Sequence, residues 1–225
     1  RDLLSMLPKD DELSAGIMEW ITKENKDMVL FIDEQMFEEK QKTTIFKEII
    51  DGCKIKDLRF GDFATTYYEE LMNFGYSNES VKYLIKELKA CKEMNNHLVN
   101  ILFCLKYLQW SKLEPTKSMQ LRKLLFKIFA EFIINPESAY VLFEGLSNPD
   151  LMKQDMVDDI WAIIKDKEHP NIARHFVSFV LEADLVEPNI DRIIYFSPHI
   201  HDYGDGHCSH AVSRDSLMLA YQSDL

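Results

Sequence analysis

Glycine and proline are both scarce in this sequence, with 7 of each among 225 residues. Enzymes built on β-sheets with tight loops need more glycine, because phosphate-binding loops and hairpin turns require positive φ angles. The scarcity of both residues therefore favours long helices. The sequence also lacks the patterns G-x-x-x-x-G-K-S/T, G-x-G-x-x-G, G-x-S-x-G and H-E-x-x-H, which mark nucleotide-binding and hydrolytic sites. We therefore predict no catalytic residues and a protein that is not an enzyme.

A disulfide framework and a membrane-spanning segment are also missing. The four cysteines are widely spaced and form no C-x-x-C pair: Cys53, Cys91, Cys104 and Cys208. Cysteines used in this way favour a reducing compartment. No apolar run approaches the ~20 residues that cross a bilayer, and the first residues show no signal-peptide pattern. We expect an intracellular protein, cytoplasmic or nuclear, without membrane insertion.

Positive charge is in short supply. The chain has 26 Lys and Arg residues against 38 Asp and Glu residues, a net charge of −12 that repels phosphate backbones and anionic membranes. Nucleic-acid binding is therefore disfavoured. Two local basic groups at helical spacing are interpreted as the solvated faces of amphipathic helices: Lys82, Lys86 and Lys89, and Arg122, Lys123 and Lys127.

Helical periodicity is what the sequence has in abundance. Apolar residues recur at helical spacing in ten segments: 12–22, 28–39, 43–51, 62–74, 79–93, 96–110, 117–134, 137–146, 150–166 and 171–186. Several links contain proline after Asn, His or Glu, as at Asn135, Asn148 and His169. Proline suits the first turn of a helix, and an Asn or Asp before it can cap the unpaired N–H groups there. This pattern predicts antiparallel helices joined by short turns.

The segment 96–110 is apolar almost all round, which predicts a central helix that other helices surround. Leu102, Phe103 and Leu105 should therefore lie in the core. The aromatic residues at helical spacing are interpreted as packing, whereas the pair Tyr67 and Tyr68 and also Trp110 are proposed as exposed contact residues.

Helix pairs of this length with short links resemble the HEAT and armadillo solenoids. The segment starts show no fixed period, so an irregular helical bundle stays open as the alternative. We predict an all-α fold, an irregular antiparallel helical array that forms a helical domain over residues 1–188. Residues 189–225 are predicted to be a non-helical C-terminal extension, with a β-prone run at 192–196. Packing of this extension on the helical body is left open.

One segment of this extension is rich in possible metal ligands. Residues 199–210 hold four of the seven histidines: His199, His201, His207 and His210. A His-x-His pair on an extended segment places both imidazoles on one side, and zinc takes three or four such ligands. The spacing matches no standard zinc-finger pattern, so a polar surface loop is the preferred interpretation. Zinc is the cofactor to expect if this segment does bind a metal.

These observations together favour a non-enzymatic helical scaffold or adaptor for protein–protein interaction, as part of a larger protein or complex. Its partner should present a basic or mixed-charge contact surface, because the acidic field attracts positive charge. Exposed acidic residues on the segment 150–166, such as Asp155 and Asp159, should contribute to that field. The alternatives are a metal-binding protein or metal-dependent hydrolase that uses residues 199–210, and nucleic-acid binding through the two basic faces.

Overall fold

The structure, a computed structural model, describes residues 11–23, 37–52 and 62–200. Within these ranges every regular element is helical, which confirms the all-α prediction. The α-helices are α1 (Asp11–Lys23), α2 (Glu39–Gly52), α3 (Asp62–Gly75), α4 (Asn78–Ala90), α5 (Asn96–Lys106), α6 (Pro115–Phe132), α7 (Ala139–Leu146), α8 (Gln154–Ile164), α9 (Pro170–Glu182) and α10 (Ile190–Ile200). Short 3-10 turns lie at Trp110–Lys112, Pro136–Ser138 and Glu187–Asn189.

The larger part of the predicted segment 28–39 falls outside the described residues. None of the described helices is long and apolar enough to cross a membrane. The chain divides into two compact units, which we call unit 1 (residues 1–109 and 113–125) and unit 2 (residues 110–112 and 126–225). The predicted solenoid or bundle arrangement, and the predicted division at residue 188, stay predictions.

Helix α5 lies at the centre of unit 1. Residues 98–105 are all buried, including Leu102 and Leu105 with no exposed surface, so the predicted central helix is confirmed. Helices α2, α3 and α4 pack around it. The buried Asn100 side chain ties this core together, because it accepts a hydrogen bond from Tyr68 Oη at 2.6 Å and donates one to the Ile50 carbonyl at 3.0 Å.

The prediction that Tyr67, Tyr68 and Trp110 form an exposed contact surface is wrong, since all three side chains are buried. The ring of Tyr68 stacks on Phe103 with a centroid distance of 5.1 Å, and its hydroxyl bonds to Asn100. An aromatic ring with a polar tip gains most from burial when that tip finds a hydrogen-bond partner. The buried Asn100 therefore makes the interior the favourable place for Tyr68.

Close packing fixes the junction between α3 and α4. Gly75 ends α3, and a Cβ atom at this position would lie 2.6–2.8 Å from side-chain atoms of Phe46 on α2. Helix α4 then begins after Ser77, whose hydroxyl accepts a hydrogen bond from the Ser80 N–H at 3.0 Å. Glycine is needed here because two helices approach closely, not because the backbone has positive φ.

Aromatic rings dominate the core of unit 2. Helix α9 packs against α7 and α10. The rings of Trp161, Phe176 and Phe196 lie mutually 5.4–5.7 Å apart between centroids, within the range of favourable aromatic pairs. These three rings come from α8, α9 and α10, so one cluster joins three helices.

Three proline-containing links of unit 2 carry a side-chain cap, two of them from the predicted asparagines and one from His169. The side chains of Asn135, Asn148 and His169 each accept a hydrogen bond from the backbone N–H two residues later, at 3.2, 2.9 and 3.2 Å. Each bond satisfies an N–H group at the start of a turn or helix that no other backbone group reaches. Local hydrogen bonds therefore set the start of α9 and of the turns at Asn135 and Asn148, whereas α7 and α8 begin without a side-chain cap.

The predicted β-prone run 192–196 is wrong, because these residues lie within helix α10. Ile193 and Phe196 are spaced three residues apart and are both buried, so the helical period brings both into the core of unit 2. Tertiary packing here outweighs the intrinsic strand preference of Ile, Tyr and Phe. The helices thus continue past residue 188 to Ile200, and residues 201–225 of the predicted extension lie outside the described part.

Candidate functional site

A cavity of about 370 Å³ opens beside the turn that joins α4 to α5 in unit 1. Six residues supply polar groups to its wall: Glu87, Cys91, Lys92, Glu93, Asn95 and His97. Ala90, Leu98 and Ile101 supply its apolar part. This volume lies within the range of pockets that bind small ligands or single side chains.

Local hydrogen bonds set the shape of the turn. Asn95 caps α5, since its side-chain oxygen accepts a hydrogen bond from the Leu98 N–H at 3.0 Å. The amide nitrogen of the same side chain donates to the Glu93 carboxylate at 3.4 Å. The Cys91 thiol donates to the Glu93 carbonyl at 3.3 Å. These contacts hold the five-residue connection in one conformation, so the cavity is preformed.

His97 stands where α2, α4 and α5 meet. Its Nδ1 atom lies 3.4 Å from both the Ile50 carbonyl and the Asp51 carboxylate of α2. Its Nε2 atom lies 3.3 Å from the Glu87 carboxylate of α4, yet this buried atom forms no hydrogen bond with acceptable geometry to any described residue. Every oxygen around the ring is an acceptor, so this corner of unit 1 has more acceptors than donors.

The carboxylate of Glu87 is the largely buried acid of the cavity, with 20% of its side chain exposed. Its second oxygen lies 3.2 Å from the ammonium group of Lys86, whose side chain is 79% exposed. An ion pair with a solvated lysine contributes little, because water competes for both partners. The described residues form no hydrogen bond to this carboxylate, so Glu87 keeps capacity to accept donors from outside.

Tyr83 of α4 contacts both Asp51 and His97. Its hydroxyl donates a hydrogen bond to the Asp51 carboxylate, and the ammonium group of Lys47 lies 5.6 Å from the centre of its ring. Burial, then the hydrogen bond to Asp51, raise the pKa of Tyr83 well above its usual range. The phenol therefore stays protonated and acts as a donor to Asp51 at all physiological pH values.

The arrangement is suited to binding a positively charged donor group. The carboxylates of Glu87 and Glu93 line a partly apolar cavity, and the sole lysine or arginine in its wall, within the described part of the chain, is the exposed Lys92. No group of three His, Cys, Asp or Glu side chains in the described ranges has the geometry of a metal site.

One of the four histidines predicted as zinc ligands lies in the described part of the chain. His199 lies in the last turn of α10, half-buried, with its ring 6.4 Å from that of Phe196. His201, His207 and His210 lie outside the described residues, so the zinc site stays a prediction. Of the residues that form the cavity, sequence reasoning assigned no role to His97 or Glu87. A histidine in the first turn of an otherwise apolar helix was the available signal.

The other predicted surface groups lie where the sequence placed them. Lys82, Lys86 and Lys89 are exposed on α4, and Asp155 and Asp159 are exposed on α8. Both sets therefore occupy solvated helix faces, as their spacing indicated.

The fold defines an all-α protein whose described helices form two compact units. No protein-family model matches the chain, and neither a curated protein sequence nor a solved structure matches it at a significant level.

Proposed function

We propose that the chain is a non-enzymatic helical scaffold or adaptor that binds another protein, as part of a larger protein or complex. The partner presents a basic or mixed-charge contact surface. The observation that carries this proposal is the solvated acidic face of α8, where Asp155, Asp158 and Asp159 are exposed while Met156 and Ile160 of the same helix are buried.

Two donors hold the Asp158 carboxylate of this face in its charged form. The hydrogen bond from Arg192, followed by that from Gln154, lowers the pKa of the Asp158 carboxyl. Arg192 lies 2.7 Å from this carboxylate and is held in turn by the buried Asn189. The exposed Asp166 adds a further negative charge just after the helix. The exposed Lys153 and Lys165 lie at the two ends of α8, so the negative charge is concentrated on the middle of the helix. Such a face attracts an oppositely charged partner over about one Debye length, roughly 8–10 Å at physiological salt.

Nucleic-acid binding receives less support from the basic face of α4. The ammonium group of Lys82 lies 2.6 Å from the Glu79 carboxylate, and Lys86 lies 3.2 Å from Glu87. Each lysine of these pairs has a carboxylate of its own helix beside it, which weakens the attraction for a phosphate backbone.

The proposal is tested by the rate at which a purified partner associates with the chain. Partners captured from the native source by cross-linking would be purified and mixed with the chain at salt concentrations from about 50 to 500 mM. We expect association to slow as salt rises, because screening weakens electrostatic steering. An association rate that does not change with salt would contradict the proposal.

Matched variants separate the α8 face from the total charge. The double variant Asp155→Asn with Asp159→Asn should slow association several-fold at low salt. The control Glu48→Gln with Glu69→Gln removes the same charge from exposed positions of unit 1 and should have a smaller effect. Equal slowing by both double variants would mean that net charge, and no particular face, attracts the partner.

A further inference from the structure

We propose that the cavity beside the α4–α5 turn binds the guanidinium group of an arginine side chain. The source of this arginine, an exposed segment of a protein partner, rests on the function proposed above. The site itself rests on the chemistry of the cavity wall.

The first argument is the state of the Glu87 carboxylate. The Glu87 side chain is 20% exposed, so the protein covers most of it while its carboxylate oxygens stay accessible to a donor that enters the cavity. Glu87 has neighbours at 3.2 and 3.3 Å in Lys86 and His97, and the described residues provide no hydrogen bond to it. A guanidinium group offers two parallel N–H donors in the geometry that a carboxylate accepts.

The second argument is the composition of the remaining wall. Glu93 is an exposed carboxylate, and its long contact with the Asn95 amide at 3.4 Å leaves it able to accept a stronger donor. Leu98 and Ile101 provide an apolar wall for the methylene groups of the arginine stem. A cation with an apolar stem thus finds two carboxylates for its charge and two aliphatic side chains for its stem.

The third argument distinguishes arginine from other ligands of similar size. An ammonium group is a compact, strongly hydrated point charge, whereas the planar guanidinium is weakly hydrated and matches a carboxylate with two bonds. Phosphate and carboxylate ligands would meet the like charges of Glu87 and Glu93. Although a helix begins at this cavity, Asn95 already caps it through the Leu98 N–H. The geometry therefore favours a guanidinium.

The test is an NMR titration of the whole isotope-labelled chain with three blocked tripeptides that carry arginine, lysine or citrulline at the centre. Citrulline keeps the shape of arginine without its charge. We expect the arginine peptide to give saturable shifts of the backbone amides of Glu87, His97 and Leu98. The lysine peptide should bind several-fold more weakly, and the citrulline peptide should give no saturable shift.

Variants of the wall assign the binding to these carboxylates. Glu87→Gln should weaken arginine binding by about tenfold, because a charged hydrogen-bonded pair is lost. Glu93→Gln is exposed at the turn, cannot disturb the core, and should weaken binding by a smaller factor. The control Glu48→Gln removes an exposed charge of α2 that does not line the cavity and should leave binding unchanged.

Three results would overturn the inference: no saturable shift with the arginine peptide, equal binding of the citrulline peptide, or arginine binding unchanged in both wall variants. Its failure is distinguishable from failure of the scaffold function. If the partner binds Glu87→Gln and Glu93→Gln normally but binds the α8 variant slowly, the cavity inference fails and the scaffold function stands. If arginine binds the cavity while association with purified partners is independent of salt, the site stands and the proposed function fails.

Discussion

The two units solve the same problem, the burial of several helices around one core, by different means. Unit 1 contains a hydrogen-bonded polar side chain at its centre, where Asn100 joins Tyr68 of α3 to the Ile50 carbonyl of α2. Unit 2 instead joins α8, α9 and α10 through the rings of Trp161, Phe176 and Phe196. Both units also use the other device, since Tyr68 stacks on Phe103 in unit 1 and the buried Asn189 donates hydrogen bonds to Gln154 and the Leu185 carbonyl in unit 2. The contrast lies in which device joins three elements at the centre of each unit.

The difference has an energetic meaning. A hydrogen bond adds only about 0.5–1.5 kcal/mol when it forms, but a buried group that loses its partner costs about 1–3 kcal/mol. Polar contacts in unit 1 therefore act mainly by penalising a wrong alignment of its helices. Aromatic rings bury large areas and tolerate small shifts. The cluster of unit 2 should therefore contribute more to the free energy of unfolding and restrict the relative positions of its helices less.

The largest effect should come from removing a ring of the unit 2 cluster. Phe196→Ala should lower the free energy of unfolding by about 3–5 kcal/mol, because a fully buried ring leaves a cavity. Hydrogen exchange should show the loss of protection first in α8–α10. A loss below about 1 kcal/mol would show that the cluster does not hold unit 2 together.

The next effect concerns the polar centre of unit 1. Asn100→Ala should lower the free energy of unfolding by about 2–3 kcal/mol, since the Tyr68 hydroxyl and the Ile50 carbonyl each lose a buried hydrogen bond. Adding Tyr68→Phe to this variant should cost almost nothing further. Urea unfolding of both single variants and of the double variant measures this coupling, which we expect to be about 1 kcal/mol. Additive losses would contradict the bonded network.

The third effect is a pH dependence of the free energy of unfolding that comes from His175 of unit 2. Burial, helped by the neighbouring charge of Arg174, lowers the pKa of His175 to about 4, and its ring lies against Tyr140 and Phe143. The unfolded chain binds a proton at this histidine below pH ~6.5, whereas the folded chain binds it only near pH 4. Stability from this residue is therefore complete above pH ~6.5 and is lost as the pH falls toward 4.

We expect this loss to be about 1–2 kcal/mol, which is less than the full shift would give because the ring is not completely buried. His175→Phe keeps a ring in place and removes the titration. Unfolding of both proteins should be compared between pH 7 and 4.5, where other groups titrate equally in each. Parallel pH dependence of the two proteins would contradict this account of His175.

The smallest expected change in stability concerns the end of helix α9 in unit 2, where an aspartate stands, whereas α3 of unit 1 ends at a glycine. In unit 2, Asp184 follows α9 with φ 55°, a left-handed conformation that strains most residues, and the Leu185 N–H closes the helix on the Val180 carbonyl. Asp184→Gly should raise the free energy of unfolding by about 0.5 kcal/mol, while Asp184→Ala should lower it. Thermal unfolding measures both changes, and equal melting temperatures would argue against strain at this position.

Local chemistry explains which parts of this fold could be predicted from the sequence. The proline-containing turns at Asn135 and His169 depend on groups within two residues, so their pattern is readable directly. The burial of Tyr68 depends on Asn100, 32 residues away, and the helical state of residues 192–196 depends on packing against α8 and α9. Such long-range partners leave no trace in local periodicity.

The candidate site was not predictable for the same reason. Asp51, Glu87 and His97 come from three different helices. A turn separates Glu87 from His97, and Asp51 lies much earlier in the chain. Spacing rules detect sites whose groups share one segment, as with the histidines of residues 199–210. They cannot detect a site that exists only after helices pack together.

The contact between Gly75 and Phe46 constrains how this protein can diverge. A side chain at position 75 would collide with the Cβ and Cγ atoms of Phe46 at 2.7 and 2.8 Å, and no rotation of the Phe46 ring moves its Cβ atom away. In related sequences, the two positions should therefore vary together: a residue larger than glycine at position 75 should accompany a smaller residue at position 46. Covariation of positions 46 and 75 would then identify relatives that keep this helix junction.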